Sequence, residues 1–201
     1  MFKKSIKNLI SENEYWEIIG KSLMGPNNSI TKQYKILIEI FDKLTEEQLF
    51  GFSYYATEFY RKAYTSELWA AVYIAIGGCG DDSFHYFRCW LATRDKKTYY
   101  NALKNPDSLV SEFKKFTYRD DLFADPIQVE VDEYYRQKYP QKPELLDVIE
   151  KKYKEAFKTK SELEMSEIIE FNWEENDKES LKKICPKIFE EYWNKPLKNK
   201  S

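Results

Sequence analysis

Apolar residues recur along this chain at steps of three and four, and the runs they form are separated by helix start and stop signals. Ser11 and Glu14 make a capping-box pair ahead of Tyr15, Trp16, Ile19 and Leu23, which share one helical face, and Gly25-Pro26 closes that element. A second helix is predicted from about Ser29 to Leu44 on Ile30, Tyr34, Leu37, Ile38, Phe41 and Leu44. Thr45 and Gln48 give another capping box, opening a helix whose apolar side carries Leu49, Phe52, Ala56, Phe59, Tyr60 and Ala63. Gly51 weakens it by about 1 kcal/mol relative to alanine.

The fourth element differs in kind. Ser66 and Glu67 open LWAAVYIAI, which has no polar stripe, and a helix apolar all round is a buried one. Leu68 to Ile76 is therefore expected to be the hub of the core, ended by Gly77-Gly78 because glycine takes a left-handed C-terminal conformation without a Cβ penalty. Asp81 or Asp82 is expected to cap a helix from Ser83 to about Thr93. Short helices follow at Thr98 to Lys104 and Asp107 to Phe116, with a break at Asn105-Pro106. Ile127 to Val131 alternates like a strand but continues as a helix through Tyr134 and Tyr135, and Asp125-Pro126 favours the helix. After about Gln137 the charge density rises and arginine stops after Arg136. Pro143 suits the first position of a charged helix reaching Ala156 or Phe157, Ser161 and Glu164 offer a further capping box, and a last pair of short helices flanks Cys185-Pro186. No repeat or flexible linker divides the sequence. The expected fold is all-α, a single-domain multi-helix bundle over residues 1–201 around a buried central helix.

Composition narrows the function classes. Lysine and arginine number 32 against 34 acidic residues, a net charge of −2, so nothing marks a nucleic-acid or anionic-lipid surface. The start MFKKSIKNLI lacks an apolar stretch of signal-peptide length, and the longest apolar run falls well short of the roughly 20 residues a membrane span needs. Three separated cysteines, Cys79, Cys89 and Cys185, read as reduced thiols, and the expected location is the cytoplasm. Aromatic residues make up 17% of the chain, more than packing alone requires, and rings in excess favour protein interfaces.

Loops for nucleotides, zinc-protease helices and nucleophile elbows are absent from the sequence. One segment is dense in scarce residues: GGCGDDSFHYFRCWLATRDK, Gly77 to Lys96, holds half of the six glycines, two of the cysteines, the single histidine His85 and two of the arginines. A phosphate cradle there would meet Asp81 and Asp82. A metal would have to use His85 and Cys89 with Asp81 or Cys79, a set without paired-ligand spacing, and neither metal nor cofactor is expected. Cys89 lies mid-helix and Cys79 faces two aspartates, positions that disfavour a thiolate. What remains is a candidate binding cluster of Asp81, Asp82, Arg88, Trp90, Tyr99 and Asp107. The structural account makes Asp82 an N-cap, places Asp107 in a first turn and pairs Arg88 with one aspartate. The functional account gathers the six into a polar pocket.

At this segment the sequence resembles the bacterial family known as domain of unknown function 4240. The likeness runs from Tyr64 through Leu68-Trp69 to GCGDDSFHYFRCWL, then Tyr99 and NPDSL (Asn105 to Leu109), with Tyr15-Trp16 at the entry and Trp173-Glu174-Glu175-Asn176-Asp177 to Pro186 at the close. It implies a family-like core over about 15–193, with roughly 137–166 as added length. Asp95 stands where the family has a glycine at a helix end, and His85 is not part of the family string. The family supplies no reaction. The expectation is a bacterial cytoplasmic domain that acts by binding, most simply another protein. The alternative is an enzyme or small-ligand receptor with its pocket around residues 79–107.

Overall fold

In the computed structural model the described residues are 10–23, 30–125, 127–140 and 169–200. They are all-α: among them no strand forms, and the sole β pairing is an isolated parallel bridge between Tyr118 and Lys198. The helices are α1 (Glu12–Ser22), α2 (Ile30–Phe41), α3 (Glu46–Lys62), α4 (Ser66–Ile76), α5 (Asp81–Ala92), α6 (Lys96–Lys104), α7 (Val110–Phe113), α8 (Ile127–Lys138), α9 (Lys178–Ile184) and α10 (Pro186–Tyr192), with 3-10 turns at Pro106–Leu109 and Arg119–Leu122. None of the described helices is long and apolar enough to cross a membrane. They gather into two compact units.

The first unit takes α1, α2, α3 as far as Glu58, and α8. Two of the three predicted capping boxes are present: the Glu14 N–H donates to Ser11 Oγ at 3.3 Å while the Ser11 N–H donates to Glu14 Oε2 at 2.6 Å, and Thr45 and Gln48 repeat the exchange. Tyr15, Phe41 and Phe52 meet ring to ring at 4.9–5.0 Å in the core. Ile127, Val131 and Tyr135 are buried at four-residue steps, so the segment that also alternated like a strand is a helix. The predicted Gly25-Pro26 stop, the helix after Pro143 and the Ser161–Glu164 box lie outside the described residues.

The second unit runs from Phe59 to 126 and from 168 to the C-terminus, and α4 is its centre. Ser66 and every residue from Leu68 to Ile76 are buried, as an all-apolar helix requires. Its N-cap is Thr65, one residue before the expected start, whose Oγ1 accepts from the Leu68 N–H at 3.2 Å. Gly77 ends it at φ 72°, and a Cβ there would lie 3.0 Å from Pro196 Cγ, so both backbone and space demand glycine. Against α4 pack α9, α10 and the Pro106–Leu109 turn.

Three start signals come out differently. α5 is capped by the extended backbone of Gly80, so Asp81 and Asp82 fall inside the first turn, where their charge favours the helix dipole without a capping hydrogen bond. Asp95, at φ −64°, is no left-handed terminus but the N-cap of α6, accepting from the Thr98 N–H at 3.0 Å and the Thr98 hydroxyl at 2.6 Å. The stretch from Asp107 to Phe116 is a 3-10 turn followed by one α turn rather than a single helix.

Candidate functional site

Helical spacing on α5 puts His85, Arg88 and Cys89 on adjoining positions of one side, and the C-terminal end of α3 with its exit supplies Tyr60 and Tyr64 opposite them. Arg88 is only 9% exposed. Its Nη2 donates to the Tyr60 hydroxyl at 2.6 Å, and its Cζ lies 4.0 Å from the Tyr60 ring centroid, 4.5 Å from Tyr64 and 5.3 Å from Phe84. Among the described residues no carboxylate pairs with it and its Nε has no acceptor, which corrects the expectation that an aspartate neutralises it. Burial pushes the guanidinium below its ordinary value, with Tyr60 opposing, but arginine keeps its proton in proteins.

Tyr60 connects this cation to the single histidine, its hydroxyl lying 2.7 Å from His85 Nδ1. Arg88 can only donate, so Tyr60 accepts from it, and the arrangement that also uses the hydroxyl proton has Tyr60 donating to Nδ1. That assigns the imidazole proton to Nε2, on the side where Cys89 Sγ lies at 3.9 Å. Burial, then the Arg88 charge, lowers the His85 pKa below 6.5, with Asp82 pulling the other way. A depressed histidine pKa means that the unfolded chain binds the proton first as pH falls. Stability contributed by neutral His85 is thus complete above about 6.5 and declines as pH drops through the window below it. The ring resonances of His85 should titrate with a midpoint below that of the urea-unfolded chain, and a midpoint at or above it would refute the assigned network.

The other predicted residues go elsewhere. Asp81 and Asp82 are exposed on the first turn of α5. Trp90 is fully buried between Phe87 and Phe116, with an indole N–H that has no acceptor among the described residues. Tyr99 is buried and donates to the Phe59 carbonyl at 2.7 Å. Asp107, 4% exposed, accepts the N–H groups of Lys187 and Ile188 through one oxygen, both at 2.9 Å. Three of the six thus serve packing or helix capping, and Arg88 alone sits in an aromatic cup.

Around that cup the rings continue to the surface. Tyr64 (40% exposed) contacts Trp69 and Phe84, Trp69 stacks on Phe84 at 4.4 Å, and Phe171 (48% exposed) meets the edge of Trp69 at 5.1 Å. Sequence reasoning overlooked Tyr60 and Phe171. Tyr60 was visible only as part of an apolar face, and Phe171 lies about 80 residues from Arg88 in the chain.

The thiols offer little chemistry. Burial pushes both Cys79 and Cys89 up to about 12, and burial, with the Asp107 charge next, raises Cys185 as well. Among the described residues no three metal-ligating side chains converge.

A family model described as protein of unknown function (DUF4240) matches residues 10–155, which takes in all of α1 to α8 and leaves the stretch from Trp173 to Pro186 outside it. No curated protein and no solved structure matches the chain.

Proposed function

This chain belongs to the DUF4240 family of proteins of unknown function, and from that starting point we propose that it is a binding protein of the bacterial cytoplasm that engages another protein through the Tyr64–Trp69–Phe171 face of its second unit. The observation that carries the reading is Arg88, a buried cation held by rings beneath the exposed Tyr64 with no carboxylate of its own among the described residues. Arginine and large aromatic residues together are what protein interfaces concentrate at their centres. Poorly nucleophilic thiols, and a histidine tied between Tyr60 and Cys89, add no catalytic set to it.

The test is affinity capture from a lysate of the source bacterium on the immobilised full chain, compared with the Tyr64→Ala/Phe171→Ala double variant. Both side chains are substantially exposed, so the variant should keep the helical circular dichroism of the parent. The expected result is one or more specific partners retained by the parent and reduced at least tenfold by the variant. An identical capture profile for the two proteins overturns the reading.

A further inference from the structure

We propose that Arg88 is the receptor for a side-chain carboxylate of the partner protein, an Asp or Glu flanked by an apolar residue that rests on Tyr64 and Phe171. The proposal rests on the binding reading above and deepens it. A guanidinium has five N–H donors in one plane. Here Tyr60, Tyr64 and Phe84 crowd it, with ring centroids 4.0, 4.5 and 5.3 Å from Cζ, and its N–H donors point outward along the edges of the plane. Of those edge donors, one goes to Tyr60 and the buried Nε–H has no acceptor among the described residues. A planar carboxylate fits such an edge bidentately, which is the geometry arginine offers and lysine does not.

Among the described residues the chain's own acids do not fill the place. Asp107 spends an oxygen on two backbone N–H groups of α10, and Asp81 and Asp82 stand exposed in the first turn of α5. Those two aspartates lie six and seven residues before Arg88, roughly 9–10 Å along the helix axis, close to a Debye length at physiological salt. A monoanion tolerates that field better than a phosphate carrying a charge of about −1.5 to −2. The receptor is also held in place beforehand, because Tyr60 is fixed from behind by His85 Nδ1. Of the three ring walls Tyr64 is the exposed one, and its side chain makes ring contacts with no hydrogen bond among the described residues.

The experiment follows the backbone amide signals of Tyr60, Tyr64 and α5, and in the parent also the Arg88 Nε–H, by NMR in the intact ¹⁵N-labelled chain. The probes are blocked acetyl-Leu-Glu-Leu-amide, its Leu-Gln-Leu isostere, acetyl-Leu-Leu with a free C-terminus, and inorganic phosphate. The expected outcome is a saturable shift with the Glu peptide, at least tenfold weaker binding of the other three, and no response in Arg88→Met. Arg88→Lys should lose most of the affinity while keeping the charge. The inference falls if no saturable shift appears by about 20 mM, beyond millimolar affinity. It also falls if the Gln peptide, the free C-terminus or phosphate binds as well as the Glu peptide. Capture that depends on Tyr64 and Phe171 alongside a failed Glu titration would leave the binding reading standing and remove the carboxylate. A successful titration with unchanged capture would do the reverse.

Discussion

Asp107→Ala should lower the stability of the unit containing α4 by about 2–4 kcal/mol, more than a surface helix cap of the same residue type contributes. The reason lies in α10. Pro186 occupies its first turn and has no N–H, and Cys185 before it makes no side-chain cap bond, so the first free donors are the N–H groups of Lys187 and Ile188. Asp107, eighty residues earlier, supplies a single carboxylate oxygen to both. Removing it leaves the Ile188 N–H buried without an acceptor, and a lost partner costs the whole desolvation penalty of the group left behind. Water can reach Lys187 N more easily, which keeps the estimate below two full penalties. Asp107→Asn retains an acceptor but loses the charge facing the helix dipole, and should cost about 1 kcal/mol. Thermal and urea unfolding of the three proteins decide it. If Asp107→Ala unfolds within 1 kcal/mol of the parent, taken here as roughly one ordinary cap, solvent replaces the carboxylate and the long-range cap is unimportant.

This contact gives the NPDSL stretch a structural meaning. Asn105 accepts from the Asp107 N–H at 3.2 Å, Pro106 and Leu109 are buried, and the aspartate reaches out to hold α10. Its role as a first-turn residue was legible in the sequence; its partner was not, since nothing local ties Asp107 to Lys187. The same division holds across the chain. Ser11–Glu14 and Thr45–Gln48 were readable because both partners of a capping box lie within one turn. α4 was readable because an unbroken apolar run has few options besides burial. Asp82 misled because Gly80 could serve as N-cap through its backbone alone, which moved the helix start two residues earlier than a Ser83 beginning. Arg88 was picked out from its neighbours in sequence, but its environment comes from Tyr60 on α3 and Tyr64 at the exit of that helix. A prediction that looked for an opposite charge missed a cation held by rings.

That environment leads to a second large effect, with an unusual sign. Arg88→Met should leave the fold as stable as the parent or raise its stability by up to about 2 kcal/mol, while abolishing carboxylate binding. A buried charge without a counter-ion among the described residues carries a desolvation cost that the cation–π contacts with Tyr60, Tyr64 and Phe84, roughly 0.5–2 kcal/mol each, and one hydrogen bond offset only in part. Methionine has a comparable reach, packs its thioether against the same rings, and leaves Tyr60 still bonded to His85. A residue present to hold the structure together gives the opposite result when replaced, because its contacts are then what the fold relies on. The chemical denaturation midpoint and the Glu-peptide titration must therefore be measured on the same Arg88→Met protein. Retained or increased stability with lost binding identifies a group whose energetic cost is met only when the partner's carboxylate arrives. A loss of more than about 1 kcal/mol, the net worth of an ordinary hydrogen bond, would instead make Arg88 a structural residue whose cup is closed by its own rings.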